Sequence, residues 1–168
     1  QAGGVIERGL VYLVNQQHSD GGWGQCGGWR QLAGRGRSNP KANPMVERSD
    51  VGNTASAILA LIQAGHSPTK GKYNRATKRG VQFICKKIDE SKPEELFVTD
   101  VRNTQLQMKI GQYVDTFIAA QALAKLKGQM GSKSEEGKLG QCLDQVIAKI
   151  EKHGKDRTAR KDRKDRNG

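Results

Sequence analysis

Two kinds of helical segment alternate along this chain, and that alternation constrains the fold more than any other feature. Segments at about 4–17, 73–88 and 136–153 carry their apolar residues on one stripe, while those at about 50–64 and 112–127 are apolar or small on most faces. A helix with one stripe shows its other face to water, whereas a helix apolar all round belongs among neighbours. In the first segment Ile6, Leu10, Leu13, Val14 and Gln17 share the stripe, with Val5 and Tyr12 beside it. In the third, Ala76, Gly80, Phe83, Ile84 and Ile88 do so, and in the fifth Leu139, Cys142, Leu143, Val146, Ile147 and Ile150. The spacing of three and four residues is that of an amphipathic helix. The second segment opens after Ser49 or Asp50, either of which suits an N-cap, and Gly65 stops it. The pattern predicts an all-α fold with outer amphipathic and inner apolar helices in two layers.

Helix pairs also repeat. Arg8-Gly9 in the first outer segment is matched by Arg79-Gly80 in the second, and Thr54 and Thr116 open the two inner segments. The spacing is uneven, so the repeat carries loop insertions. The outer-to-inner connections, roughly 18–49 and 89–111, are long, and the inner-to-outer connection 65–72 is short. Long loops tend to carry function. Both fall on the edge where the inner helices begin, so that edge is the expected binding site, with Asp50, Asn53, Thr54, Asp115 and Thr116 as its candidates.

Composition narrows the function classes. The 168 residues carry 29 Lys and Arg against 17 Asp and Glu, a net charge of +12. No run approaches the ~20 apolar residues of a membrane span. Three cysteines make no disulfide framework. Cys85 and Cys142 lie on outer segments, and read either as two buried free thiols or, in an oxidising compartment, as a bridge. Residues 155–168 are almost wholly charged or polar, net +4, and predict a disordered basic tail after a domain at 1–154. The Gln1 start is what removal of a secretory signal would leave, which favours an extracytoplasmic location. Gly22 to Gly27 formally matches G-x-G-x-x-G, but no strand precedes it to aim a phosphate-binding turn.

The stretch from Arg8 to Trp23 resembles the QW repeat of squalene and terpenoid cyclases. Gln17, Gly21 and Trp23 stand at the spacing of its Gln-x-x-x-Gly-x-Trp, and Arg79-Gly80-Val81-Gln82-Phe83-Ile84 resembles the start of a second copy. In such a clip the Gln bonds free backbone groups at a helix end and the Trp packs over it. Asp50-Val51-Gly52-Asn53-Thr54-Ala55 stands where squalene–hopene-type cyclases carry Asp-x-Asp-Asp-Thr-Ala. The resemblance covers roughly residues 4–127 and extends to bacterial proteins described as prenyltransferase and squalene oxidase repeat proteins. It implies an α/α toroid, of which this chain supplies only an arc.

It does not imply the family's chemistry. Alkene protonation needs a strong carboxylic acid backed by other acids. Only Asp50 of the motif is acidic, since Gly52 and Asn53 replace the other two acids, so Asp50 is at best a weak catalytic candidate. The Asp-x-Cys zinc pair of the related prenyltransferases does not occur, and His18 and Cys26 alone are too few ligands. No metal or other cofactor is expected. The first long loop carries Trp29, Arg30, Arg35, Arg37 and Lys41, with no acid between Asp20 and Glu47. With the tail, these residues suit an acidic protein or an anionic polymer. Nucleic acid ranks lower, because aromatics are not interleaved with the basic runs. The expected role is a non-catalytic binding or assembly module, completed by a protein partner or a homo-oligomer. The alternative is a cyclase- or prenyltransferase-like enzyme subunit completed by another chain.

Overall fold

A computed structural model of the chain describes residues 2–25 and 48–166, with side chains over 3–25 and 48–155. Trp29, Arg30, Arg35, Arg37, Lys41 and Cys26 lie outside the described residues. The described residues are all-α: α1 (Ala2–Asn15), α2 (Val51–Gln63), α3 (Asn74–Glu90), α4 (Gln105–Lys109), α5 (Val114–Leu126) and α6 (Lys133–Arg166). No helix among them is long and apolar enough to cross a membrane.

The apolar helices α2 and α5 pack side by side, and so do the amphipathic α3 and α6. Contacts of α2 with α3 and of α5 with α6 close the group. Val51, Ala55 and Ile58 of α2 meet Val81, Ile84 and Ile88 of α3, Ala119, Ala122 and Leu123 of α5, and Leu139, Cys142 and Val146 of α6 in one core. A second cluster joins Leu10 of α1 to Trp23, Ala57, Leu61, Tyr73 and Ala76, with Leu13 and Val14 against it. Because α2 serves both clusters, two of its faces must be apolar. Gly80 lets α3 come close: a Cβ there would lie 3.0 Å from Ile58 and from the Trp23 ring. Gly65 ends α2 with φ +88°, its N–H bonded to Ile62 O and that of His66 to Leu61 O.

Four expectations need correction. Ile6 does not join the buried stripe of α1 but is 58% exposed: next to it Glu7 meets Lys72 and Tyr73, while Ile6 itself faces outward. The inner helices are not enclosed on every side: Ala60 and Gln63 face outward, and Phe117 is 50% exposed. The long connection before α5 is not only loop, since it contains α4. The tail is not without structure in its backbone, which stays helical through Arg166. That region inherits its helix from the packed part of α6, so it bears no nucleation cost. Lys and Arg propagate helix well, and Asp156/Arg160 and Asp162/Arg166 stand at the favourable i, i+4 spacing.

Candidate functional site

At the edge where α2 and α5 begin, the clip residues and the candidate acids form one hydrogen-bonded structure. Past the end of α1, Gln17 Nε2 donates to Gly21 O and to Ala76 O, both at 2.9 Å, and so ties the turn to the first turn of α3. Gly21 has φ +91°, and a Cβ there would lie 2.7 Å from Arg79 O, so only glycine fits. Arg79 donates to His18 O and Ser19 O from the other side. Trp23 is buried and donates Nε1–H to Leu13 O at 2.7 Å, in the last turn of α1. Its backbone N–H donates to Thr54 Oγ1 at 2.9 Å, and its carbonyl accepts from Asp50 N at 3.0 Å. Thr54 in turn donates to Asp50 O at 2.6 Å.

Asp50 is the N-cap of α2 and is 1% exposed. Its Oδ1 accepts from Asn53 N and its Oδ2 from Asn53 Nδ2, both at 2.8 Å. Burial pushes its pKa up to about 6. The Asn53 donors and the Gly52 N–H oppose the rise, and the Asp115 charge adds to it. Asp115 is also 1% exposed. Its Oδ2 accepts from Gln107 Nε2 at 2.5 Å. Its Oδ1 lacks a well-aligned hydrogen bond and lies against Gly52, where a Cβ would come within 2.0 Å. Burial raises the Asp115 pKa too, against the Gln107 donor and the Gly52 N–H. Thr116 is buried and donates Oγ1–H to Leu96 O at 2.7 Å. Lys149 of α6 holds the loop that carries Leu96, donating to Lys92 O and Glu95 O.

Asp50, Asn53, Thr54, Gln17, Gly21 and Trp23 therefore stand together, and Asp115 joins them across Gly52. Thr116 turns away toward the 91–98 loop. Gln107 is the partner that sequence reasoning missed. Its signal is Thr104-Gln105-Leu106-Gln107, a capping box in which Thr104 Oγ1 accepts from Gln107 N and Gln107 Oε1 accepts from Thr104 N. A second missed group joins His18, Asp20 and Ser49. Ser49 Oγ donates to Asp20 Oδ1 at 2.8 Å and lies 2.9 Å from His18 Nδ1. Asp20 Oδ1 also accepts from Gly22 N, an Asx turn readable in Asp20-Gly21-Gly22. A serine nucleophile needs the imidazole on its hydroxyl and the carboxylate behind the imidazole. Here the carboxylate takes the hydroxyl proton, so the group fastens the turn to the start of α2.

The same logic limits the acids. A donor to an alkene must be a strong acid with a free proton, whereas Asp50 is weakened by burial and both its oxygens are engaged. Among the described residues, no three His, Cys, Asp or Glu side chains are grouped to hold a metal ion. A cavity of about 350 Å³ beside the site is lined by Tyr12, Gln16, Trp23, Asn53, Ser56 and Ala60, a mixed polar and apolar wall. Comparison of the chain with protein-family models, with curated proteins and with solved structures gives no match.

Proposed function

We propose that this chain is a non-catalytic assembly module of the terpenoid cyclase/prenyltransferase-like toroid class. In this reading α1, α3 and α6 are the outer and α2 and α5 the inner helices of an arc, and helices of another chain continue the arc beyond α1. The supporting observation is the unequal surroundings of two matched glycines. Gly80 is covered by Ile58 and the Trp23 ring, whereas Gly9, its match in α1, has nothing within 4 Å of a Cβ among the described residues. Around Gly9, Val5, Ile6 and Tyr12 are exposed at 62%, 58% and 61%. A helix bearing an aliphatic side chain and an indole clip would cover this face as α2 and Trp23 cover α3. The engagement of both Asp50 oxygens argues against chemistry at the loop edge, and the net charge of +12 favours an acidic protein or anionic polymer as partner.

Light scattering of the full chain at low and high salt tests the reading. The expected result is a dimer or larger species that Gly9→Trp reduces to a monomer with native circular dichroism, since the monomer has room for the indole. A stable wild-type monomer at every salt concentration overturns it. The second reading, an enzyme subunit, draws on Asp50 and Asp115 lying close beside a cavity that Tyr12 and Trp23 line. Isoprenoid turnover by the assembled species, abolished by Asp50→Asn, would replace the first reading with the second.

A further inference from the structure

Cys85 of α3 and Cys142 of α6 are free, buried and within hydrogen-bond reach of one another across the packed outer helices. Cys85 also lines a cavity of about 350 Å³ between those helices, with Gln82, Asp89, Met130, Lys138 and Leu139 on its walls. Lys138 closes one side through its ion pair with Asp89, at 2.5 Å. Cys85, 4% exposed, is on the wall of this cavity, whereas Cys142 is not and is fully buried. From this arrangement we propose that Cys85 and Cys142 form a redox-active dithiol, which a low-molecular-weight disulfide oxidises through the cavity to a bond fastening α3 to α6.

The Cys85 sulfur attacks one sulfur of the external disulfide, and the first thiolate leaves and takes the Cys85 proton. Cys142 then attacks Cys85 Sγ and expels the second thiolate, which takes the Cys142 proton. Two cysteine thiols are oxidised and one external disulfide is reduced to two thiols, so electrons and atoms balance.

The test uses the full chain with Cys26→Ser, fully reduced and then exposed to oxidised glutathione, with intact mass and peptide mapping as readouts. The expected product has lost two hydrogens, carries no glutathione, maps to a Cys85–Cys142 link, and melts roughly 5–10 °C higher until a reductant restores the starting value. In Cys142→Ser or Cys142→Ala, checked for native circular dichroism, one glutathione remains on Cys85. A chain that keeps its reduced mass under conditions that oxidise the same chain in denaturant overturns the proposal. So does a product holding two glutathiones, or a folded Cys142 variant that takes none.

Discussion

Gly52→Ala tests the contact that joins the two inner helices at the candidate site. A methyl group on Gly52 would lie 2.0 Å from Asp115 Oδ1, 3.0 Å from its Cγ and 3.3 Å from Leu106 Cδ1. The carboxyl group would have to retreat by more than about 1 Å to reach ordinary van der Waals separation. It has little freedom to do so, being buried, with Oδ2 held by Gln107. Overpacking at such a site costs about 1–3 kcal/mol, and losing the bond from Gln107 to a charged group costs about the same. Alanine recovers at most ~1 kcal/mol of helix propensity, and less in the first turn of a helix than in its interior. The net expectation is a loss of about 1–3 kcal/mol, or roughly 3–10 °C in melting temperature for a chain of this size.

The assay is urea unfolding at neutral pH, followed by far-ultraviolet circular dichroism, on wild type, Gly52→Ala, Asp115→Ala and the double variant. Asp115→Ala removes the obstacle, so Gly52→Ala in that background should cost nothing or gain a few tenths of a kcal/mol. A coupling of at least about 1 kcal/mol is expected. If Gly52→Ala alone is as stable as wild type, Asp115 does not pack on the Gly52 backbone and the described head of α2 against α5 is wrong.

Two further perturbations address the same edge. Asp50 has a folded pKa of about 6, above its unfolded value of 3.8, so its contribution is full below pH ~4 and is lost as pH rises through ~6. The shift corresponds to at most about 3 kcal/mol. Urea midpoints from pH 4 to 8 should show Asp50→Asn gaining on wild type across that window, and a constant difference between the two would sink the assignment. Gln17→Ala removes two bonds to backbone carbonyls, those of Gly21 and of Ala76 in α3. A loss of about 1–3 kcal/mol is expected, with faster amide exchange at the start of α3 as the local readout.

The helices were legible because their apolar spacing is regular, and because the breakers Gly65 and Gly111 stand just outside α2 and α5. What escaped reading was set by contacts between distant residues. Ile6 fits the stripe of α1 as well as Leu10 does, yet among the described residues it is left 58% exposed and Leu10 is buried. Gly9 and Gly80 match in sequence and differ in what surrounds them among the described residues. Ser49 and Asp50 both suit an N-cap, and Trp23 decides between them by pairing its backbone with Asp50, which frees Ser49 for Asp20. Lys149 reads as an ordinary solvated lysine on α6, yet it is buried with its ammonium on two loop carbonyls. Burial depresses its pKa, with Glu94 and Glu95 opposing the fall.

The heads of α2 and α5 differ in a way that explains why one connection holds a helix of its own. α2 starts from a side-chain cap, because Asp50 precedes the first helical residue and can reach back to Asn53 N. α5 has no such cap: Tyr113 makes no capping bond, and its acid, Asp115, already stands inside the first turn. Its carboxylate favours the positive end of the helix, but burial would penalise that charge unless a donor came from outside α5. α4 supplies the donor, with the Thr104 box fixing Gln107 so that one amide serves Val101 O and Asp115 together. Asp50 and Asp115, alike in sequence as acids at inner-helix starts, are therefore held by different elements: Asp50 by Asn53 of its own helix, Asp115 by Gln107 of α4.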